Sequence, residues 1–177
     1  LLGLKPEQVK LNQLYAGGGF GRRANPASDY LLEAAAIAKA AGGKTPVKLV
    51  WGREDDMRAG WYRPMYYHRL QAGLDADGKL VAWKHVIVGQ SILTGTAFES
   101  MMVKDGIDAT SVEGASNLPY DIPNLGVFLH SPKIGVPVQW WRSVGSTHTA
   151  FATECFLDEI AREAKQDPFE LRRSLLG

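Results

Sequence analysis

The chain has 177 residues, 45% hydrophobic and 22% charged, an ordinary globular composition that argues against disorder. A chain of this length buries roughly 70% of its unfolded surface, enough for a core without disulfides or structural metal. Twenty Lys and Arg against nineteen Asp and Glu leave a net charge of +1, which excludes a broad basic field for nucleic acid or anionic membrane.

The single cysteine, Cys155, excludes an internal disulfide and any Cys-rich zinc or iron–sulfur site, and reads as a small buried hydrophobe. One thiol is compatible with cytosol or periplasm. The longest apolar runs, 31–38 and 81–88, are too short and too interrupted by charge to cross a bilayer. No signal-peptide pattern opens the chain, and it begins on Leu1 rather than Met, so the native start is expected upstream.

In chain order, residues 9–15 predict a short strand with Val9 and Leu11 on one face, running into the densest glycine cluster of the chain. Asn25 and Pro26 predict an N-cap and first helical position for an alanine-rich helix over 26–40, ended by Gly42-Gly43. Residues 46–51 alternate like a strand, and 53–57 form a charged turn or short helix. A β-hairpin follows over 66–74 and 79–88, turned by Asp77-Gly78. Residues 89–117 lack a clear period and predict a loop with at most a short helix.

The segment 120–124 is a turn into a strand over 125–129, with a second strand over 136–141. A helix over 147–165 carries Phe151, Cys155, Leu157 or Asp158, and Ile160 on its inner side. Asp167-Pro168-Phe169-Glu170 is a capping box that opens the last helix, to Leu176. Strands and helices mix without strict alternation, which predicts an α+β fold: a mixed sheet with packed helices. The expected organisation is one domain over 1–177, or two lobes of about 1–90 and 91–177.

The strongest local signal is Gly17-Gly18-Gly19-Phe20-Gly21-Arg22-Arg23. Glycines before a helix start expose backbone N–H groups to an anion, and the following arginines can neutralise one. The spacing matches neither a P-loop nor the Rossmann fingerprint. Spacing alone leaves anion binding and a tight structural turn equally open.

That segment resembles the GGGFGGK motif of xanthine dehydrogenase-type large subunits. Downstream, Trp140-Trp141-Arg142-Ser143-Val144-Gly145 occupies the place of the same family's FRGFG segment, with Glu154-Cys155-Phe156-Leu157-Asp158-Glu159 on the helix after it. The segments 46–57 and 167–172 resemble its intervening strand-and-turn and its closing helix, so ordered matches run through nearly the whole chain. The departures, Arg22-Arg23 for Gly-Lys and the Trp-Trp-Arg-Ser-Val-Gly form, resemble the isoquinoline 1-oxidoreductase β-subunit branch, which includes membrane-associated aldehyde dehydrogenases.

The resemblance implies a fragment of the molybdenum-cofactor-binding domain, with molybdopterin cytosine dinucleotide as cofactor in the intact enzyme and none held by this fragment alone. It implies hydroxylation of an aldehyde or N-heterocycle with water-derived oxygen, and a glutamate as general base. That glutamate belongs to a GxGE-like segment near the family's C-terminus; no such segment occurs here, so no catalytic residue and no metal ligand is assigned.

Gly18, Gly19, Phe20 and Gly21 are implied to line the cofactor, Arg22 and Arg23 to face its anionic side, and Trp141, Arg142 and Ser143 to form an opposite wall. Phe20, Ala24 and Val144 are implied to face substrate. Ala24 stands where purine-oxidising relatives carry a glutamate, and Val144 where they carry a ring-stacking phenylalanine, so xanthine is not expected as substrate. Implied partners are the rest of the large subunit, a small 2Fe-2S subunit and a cytochrome c acceptor. Periplasmic, membrane-associated and cytoplasmic locations all stay open.

Other residues read blandly. His68, His85, His130 and His148 show no metal-ligand spacing and are expected as satisfied core or surface histidines, His148 being notable for its place beside the second motif. The cluster Trp61 to Tyr67 reads as aromatic core or subunit contact rather than a single-strand platform. Glu54-Asp55-Asp56 reads as a solvated turn. Two further readings remain: a stand-alone small-anion or nucleotide-binding module built on the glycine loop, and a scaffold whose exposed aromatic surface self-associates or binds partner chains.

Overall fold

A mixed sheet grows around the hairpin that Asp77-Gly78 predicts. The computed structural model describes residues 1–177, which divide into two compact units, Leu1–Trp61 and Tyr62–Gly177. The elements in chain order are a 3-10 turn at Pro6–Gln8, α1 (Asp29–Ala40), α2 (Arg53–Ala59), β1 (Tyr66–Leu74), β2 (Leu80–Gly89), α3 (Glu99–Met102), β3 (Val103–Lys104), β4 (Ile107–Asp108), α4 (Ala109–Val112), β5 (Asn124–His130), α5 (Ser146–Glu163) and α6 (Pro168–Leu175). The architecture is α+β, as the mixed pattern predicts.

In the larger unit, β2 is the central strand of the order β1-β2-β5, antiparallel to β1 and parallel to β5. The hairpin closes because Asp75 Oδ1 accepts from the amides of Asp77 and Lys79, while Gly78 supplies a φ of 77°. Parallel pairing of β2 with β5 needs a long crossover. The segment predicted as loop supplies it, with two short helices and the small β3–β4 hairpin.

Leu80 and Trp83 of β2 pack with Leu157, Ile160 and Ala161 of α5 and Leu171 and Leu175 of α6, all almost fully buried. A second cluster joins Ile87 to Val112 and Ala115. At the start of α6, Asp167 accepts from the amides of Phe169 and Glu170, as the capping box requires. Arg172 locks α6 to α5, donating to Glu154 at 2.8 Å, to Asp158 at 2.7 Å and to the Glu154 carbonyl at 2.9 Å.

The inner face of α5 is Thr149, Thr153, Leu157, Ile160 and Ala161. Phe151 and Cys155 point outward, against expectation, because the buried stripe runs through 149, 153, 157 and 160 and leaves 151 and 155 on the opposite side. On either side of residue 90, β2 and β5 pair from Ala82↔Asn124 to Val88↔His130.

In the smaller unit, α1 starts at Asp29, three residues later than predicted. Asn25 Oδ1 instead accepts from the Ala27 amide in a local turn, and Ser28 takes the cap position with a φ of 52°. The helix ends as predicted, with the Gly43 amide reaching back to Ala38 O and positive φ at Gly42 and Gly43. The charged segment after Gly52 is helical, as α2.

Three predicted strands do not form. Residues 9–15 and 46–51 have no partner strand, and Leu11 and Leu14 stand 73% and 80% exposed. Residues 136–141 make one isolated bridge, Tyr62↔Val138, where Pro137 has no N–H to extend a ladder. No hydrophobic side chain of the smaller unit is buried. No helix is long and apolar enough to cross a membrane.

Candidate functional site

The glycine loop lies in the smaller unit and is led by irregular chain rather than a strand. Gly18, Phe20 and Gly21 all adopt positive φ, at 123°, 49° and 86°, and the turn is closed by the Arg23 amide on Gly19 O and the Ala24 amide on Gly21 O. The amides of Gly18, Gly19 and Phe20 make no bond within the chain. At Gly18 a Cβ would lie 2.7 Å from the Phe20 ring, whereas at Gly19 its nearest neighbour would be Arg23 Cβ at 3.6 Å. Phe20, Arg23 and Ala24 are exposed beside these amides.

The two arginines differ. Arg22 grips Asp29 at the start of α1, at 2.8 and 3.5 Å, and the same carboxylate accepts from Trp61 Nε1 at 2.9 Å. Burial pushes the Asp29 carboxyl up, but Arg22, the Tyr30 amide and Trp61 outweigh it and hold it below the usual carboxylate value. Arg22 therefore secures the loop to the helix, and Arg23 is the cation turned to solvent. A loop of open amides beside an exposed arginine has the chemistry to receive an anionic group.

Trp141, Arg142, Ser143 and Val144 lie in the larger unit, in the tight turn before α5. Ser143 and Val144 have φ of 73° and 39°, a conformation costing about 1–3 kcal/mol per non-glycine residue. The turn is held from outside its own sequence. Arg63 Nη1 donates to Arg142 O at 3.0 Å and to Thr147 Oγ1 at 2.9 Å, and its guanidinium lies 6.0 Å from the Trp141 ring centre. Glu113 accepts from the Gly145 amide at 3.0 Å. A Cβ at Gly145 would collide with the Thr110 carbonyl, so only glycine lets α5 begin this close to α4.

The turn borders a narrow recess of about 30 Å³, whose apolar lining includes Tyr66, Ile92, Trp141 and Val144 and whose polar lining includes Arg63 and His148. Sequence reasoning missed Arg63, which read as one member of an aromatic cluster; its signal, an arginine next to Pro64 ahead of a strand, is not distinctive. It also missed that three of the four histidines come together. His68 Nδ1 and His85 Nε2 are 2.8 Å apart, and His148 Nδ1 and His68 Nε2 are 3.2 Å apart.

Burial lowers His68, and burial together with the other rings holds His85 and His148 at about 4, so all three are neutral at pH 7. The Tyr66 ring stacks on His148 with centroids 3.5 Å apart, and burial raises its phenol. No group of three or more His, Cys, Asp or Glu is arranged to hold a metal ion.

The family model described as the molybdopterin cofactor-binding domain matches residues 1–176. The chain is 32% identical over 178 residues to isoquinoline 1-oxidoreductase subunit beta of Brevundimonas diminuta, covering 100% of this chain and 22% of that protein. It is 33% identical over 184 residues to the membrane-bound aldehyde dehydrogenase [pyrroloquinoline-quinone] of Gluconacetobacter polyoxogenes, covering 96% of this chain and 22% of that one.

Among solved structures, quinoline 2-oxidoreductase from Pseudomonas putida 86 shares the fold at a TM-score of 0.64 and 24% identity, over 89% of this chain and 19% of its own. Aldehyde oxidoreductase from Desulfovibrio gigas gives 0.63 and 24%, over 91% and 17%. This chain belongs to the molybdopterin cofactor-binding domain family. It spans about a fifth of the length of the relatives it matches (22% of each of these two curated proteins).

Proposed function

We propose that the chain is a cofactor-binding segment of a molybdenum hydroxylase acting on an aldehyde or N-heterocycle. The observation that carries this reading is the loop of open amides at Gly18, Gly19 and Phe20 beside exposed Arg23, in a chain matching the family from end to end. Bound molybdopterin, in its cytosine dinucleotide form, would supply the two-electron redox chemistry. Within the smaller unit, Gly18, Gly19, Phe20 and Gly21 would meet the cofactor mainly through backbone, with Arg23 supplying positive charge and Arg22 holding the loop in place.

Within the larger unit, Trp141, Arg142 and Ser143 would contact cofactor from a turn kept in a strained shape by Arg63 and Glu113. Val144 in the recess, and Phe20 and Ala24 on the glycine loop, would face substrate. Val144 presents a small apolar side chain to the recess.

The catalytic base is not among these residues, so the chain alone is inactive. The working enzyme would add the rest of the large subunit, a small 2Fe-2S subunit and an acceptor such as cytochrome c. The test is to express the chain in a host that makes molybdopterin, then assay pterin content and oxidation of benzaldehyde and isoquinoline. No stoichiometric pterin and no turnover are expected of the chain alone. Turnover by the chain alone would overturn the fragment reading, and tight binding of a free nucleotide in place of pterin would favour a stand-alone anion-binding module.

A further inference from the structure

The sheet of the larger unit has two unlike faces. Trp83, His85 and Ile87 of β2 are buried on the side of α5, so strand alternation turns Ala82, Lys84, Val86 and Val88 to the other side. Register lays Tyr67 beside Val88, and Arg69, Val86 and Phe128 in a row across all three strands. This face is open at its outer strands, with Tyr67 65% and Phe128 54% exposed. Lys84 reaches across it, its Nζ 5.5 Å from the centre of the Phe128 ring.

The chemistry of this face is not that of a face made for water. A strand with one side in water alternates apolar and polar residues, whereas β2 reads LVAWKHVIVG, with three of its four outward positions, Ala82, Val86 and Val88, apolar. A nearly continuous apolar run is the pattern of a strand covered on both sides, and its parallel pairing with β5 is the pairing typical of such layered sheets. The charges are equally one-sided. Arg69 and Lys84 lie diagonally across β1 and β2, neither forms a salt bridge, and no strand of the sheet carries an Asp or Glu. An apolar patch crossed by two cations without counter-charges fits an element with an apolar stripe and carboxylates.

We propose that this face docks an amphipathic, acid-bearing segment of the same large-subunit polypeptide, from outside residues 1–177. The chain covers 22% of each of the two curated relatives named above, so a protein of that build has ample further chain to supply the segment. Tethering to the same polypeptide gives such a segment a high effective concentration that a separate partner lacks. Its carboxylates would sit between Arg69 and Lys84, and its apolar stripe would cover Tyr67, Val88 and Phe128. The inference rests on reading the chain as a segment of a longer subunit.

The test is photo-crosslinking in the intact large subunit, purified with its partner subunits, using Tyr67→benzoylphenylalanine and, as a second site, Phe128→benzoylphenylalanine. Mass spectrometry of the linked peptides should place both sites against one acid-bearing segment of the same polypeptide, outside residues 1–177. Arg69→Gln combined with Lys84→Gln should cut the yield several-fold, while the same pair of changes leaves the urea midpoint of the 177-residue chain in place. Links only within residues 1–177, to a second copy or to a separate subunit, no links at all, or a yield indifferent to the two cations would overturn the proposal and leave the fragment reading standing. Absence of any longer polypeptide that contains these residues would instead sink the fragment reading, and this inference with it.

Discussion

Arg63 Nη1 donates to the backbone carbonyl of Arg142 at 3.0 Å, joining residues 79 apart in sequence. This bond, with its companion to Thr147, holds the turn in which Ser143 and Val144 adopt a positive-φ geometry that costs energy on its own. Arg63→Ala removes both bonds from an exposed side chain and should cost the unit about 1 kcal/mol. The Val144 amide, which closes the turn on Trp141 O, should then exchange with solvent several-fold faster while α5 and α6 amides keep their protection. Unchanged exchange at Val144 would mean that Arg63 does not hold the turn.

The buried histidines give the stability a pH dependence of definite sign. His85 and His148 lie at about 4 in the folded chain, below the ordinary value near 6.5, so the unfolded chain binds more protons between the two. The contribution is intact above about pH 6.5 and is lost as pH falls towards 4. The urea midpoint should therefore drop between pH 7 and pH 4.5, and drop less in His85→Phe. A midpoint equally pH-dependent in both proteins would show that other groups carry the effect.

The core of the larger unit predicts a contrast along one helix. Leu157 is fully buried, and Leu157→Ala should cost about 2–5 kcal/mol by opening a cavity. Phe151 is 74% exposed on the opposite side, and Phe151→Ala should stay within about 0.5 kcal/mol. Chemical denaturation of the two variants checks this directly.

Arg172 bridges α5 and α6 through a fork that an ammonium cannot copy. Arg172→Lys should lose about 1–2 kcal/mol, since both carboxylate partners remain partly exposed. A thermal scan in which Lys fully replaces Arg would show that charge rather than fork geometry matters there.

Where local chemistry decides structure, the sequence was legible. Asp77-Gly78 named the hairpin, Gly42-Gly43 ended α1, and Asp167-Pro168 opened α6 because each motif satisfies its own backbone groups. Alternation at 9–15 and 46–51 misled because a strand also needs a neighbour to pair with, and none lies beside them. The glycine loop and the turn before α5 each stood out as a segment.

Arg63 and the three joined histidines did not. His68 is 17 residues from His85 and 80 from His148, and only hairpin register and the placement of α5 bring them into contact. The expectation for Cys155 failed for a related reason. Which side of α5 faces the sheet is set by packing against β2 and α6, not by the hydrophobicity of the residue alone.

The most direct test of the account is pterin content in Gly19→Asp. Gly19 has no positive φ and a Cβ there would meet only Arg23 Cβ at 3.6 Å, so the variant should fold. The aspartate would set a negative charge among the amides that are assigned to an anion. Purified from a molybdopterin-producing host as part of the native protein, the unaltered sequence should carry pterin, and Gly19→Asp should lose at least tenfold, about 1.4 kcal/mol, at unchanged circular dichroism. Equal pterin in the two proteins would contradict the assignment of this loop to the cofactor.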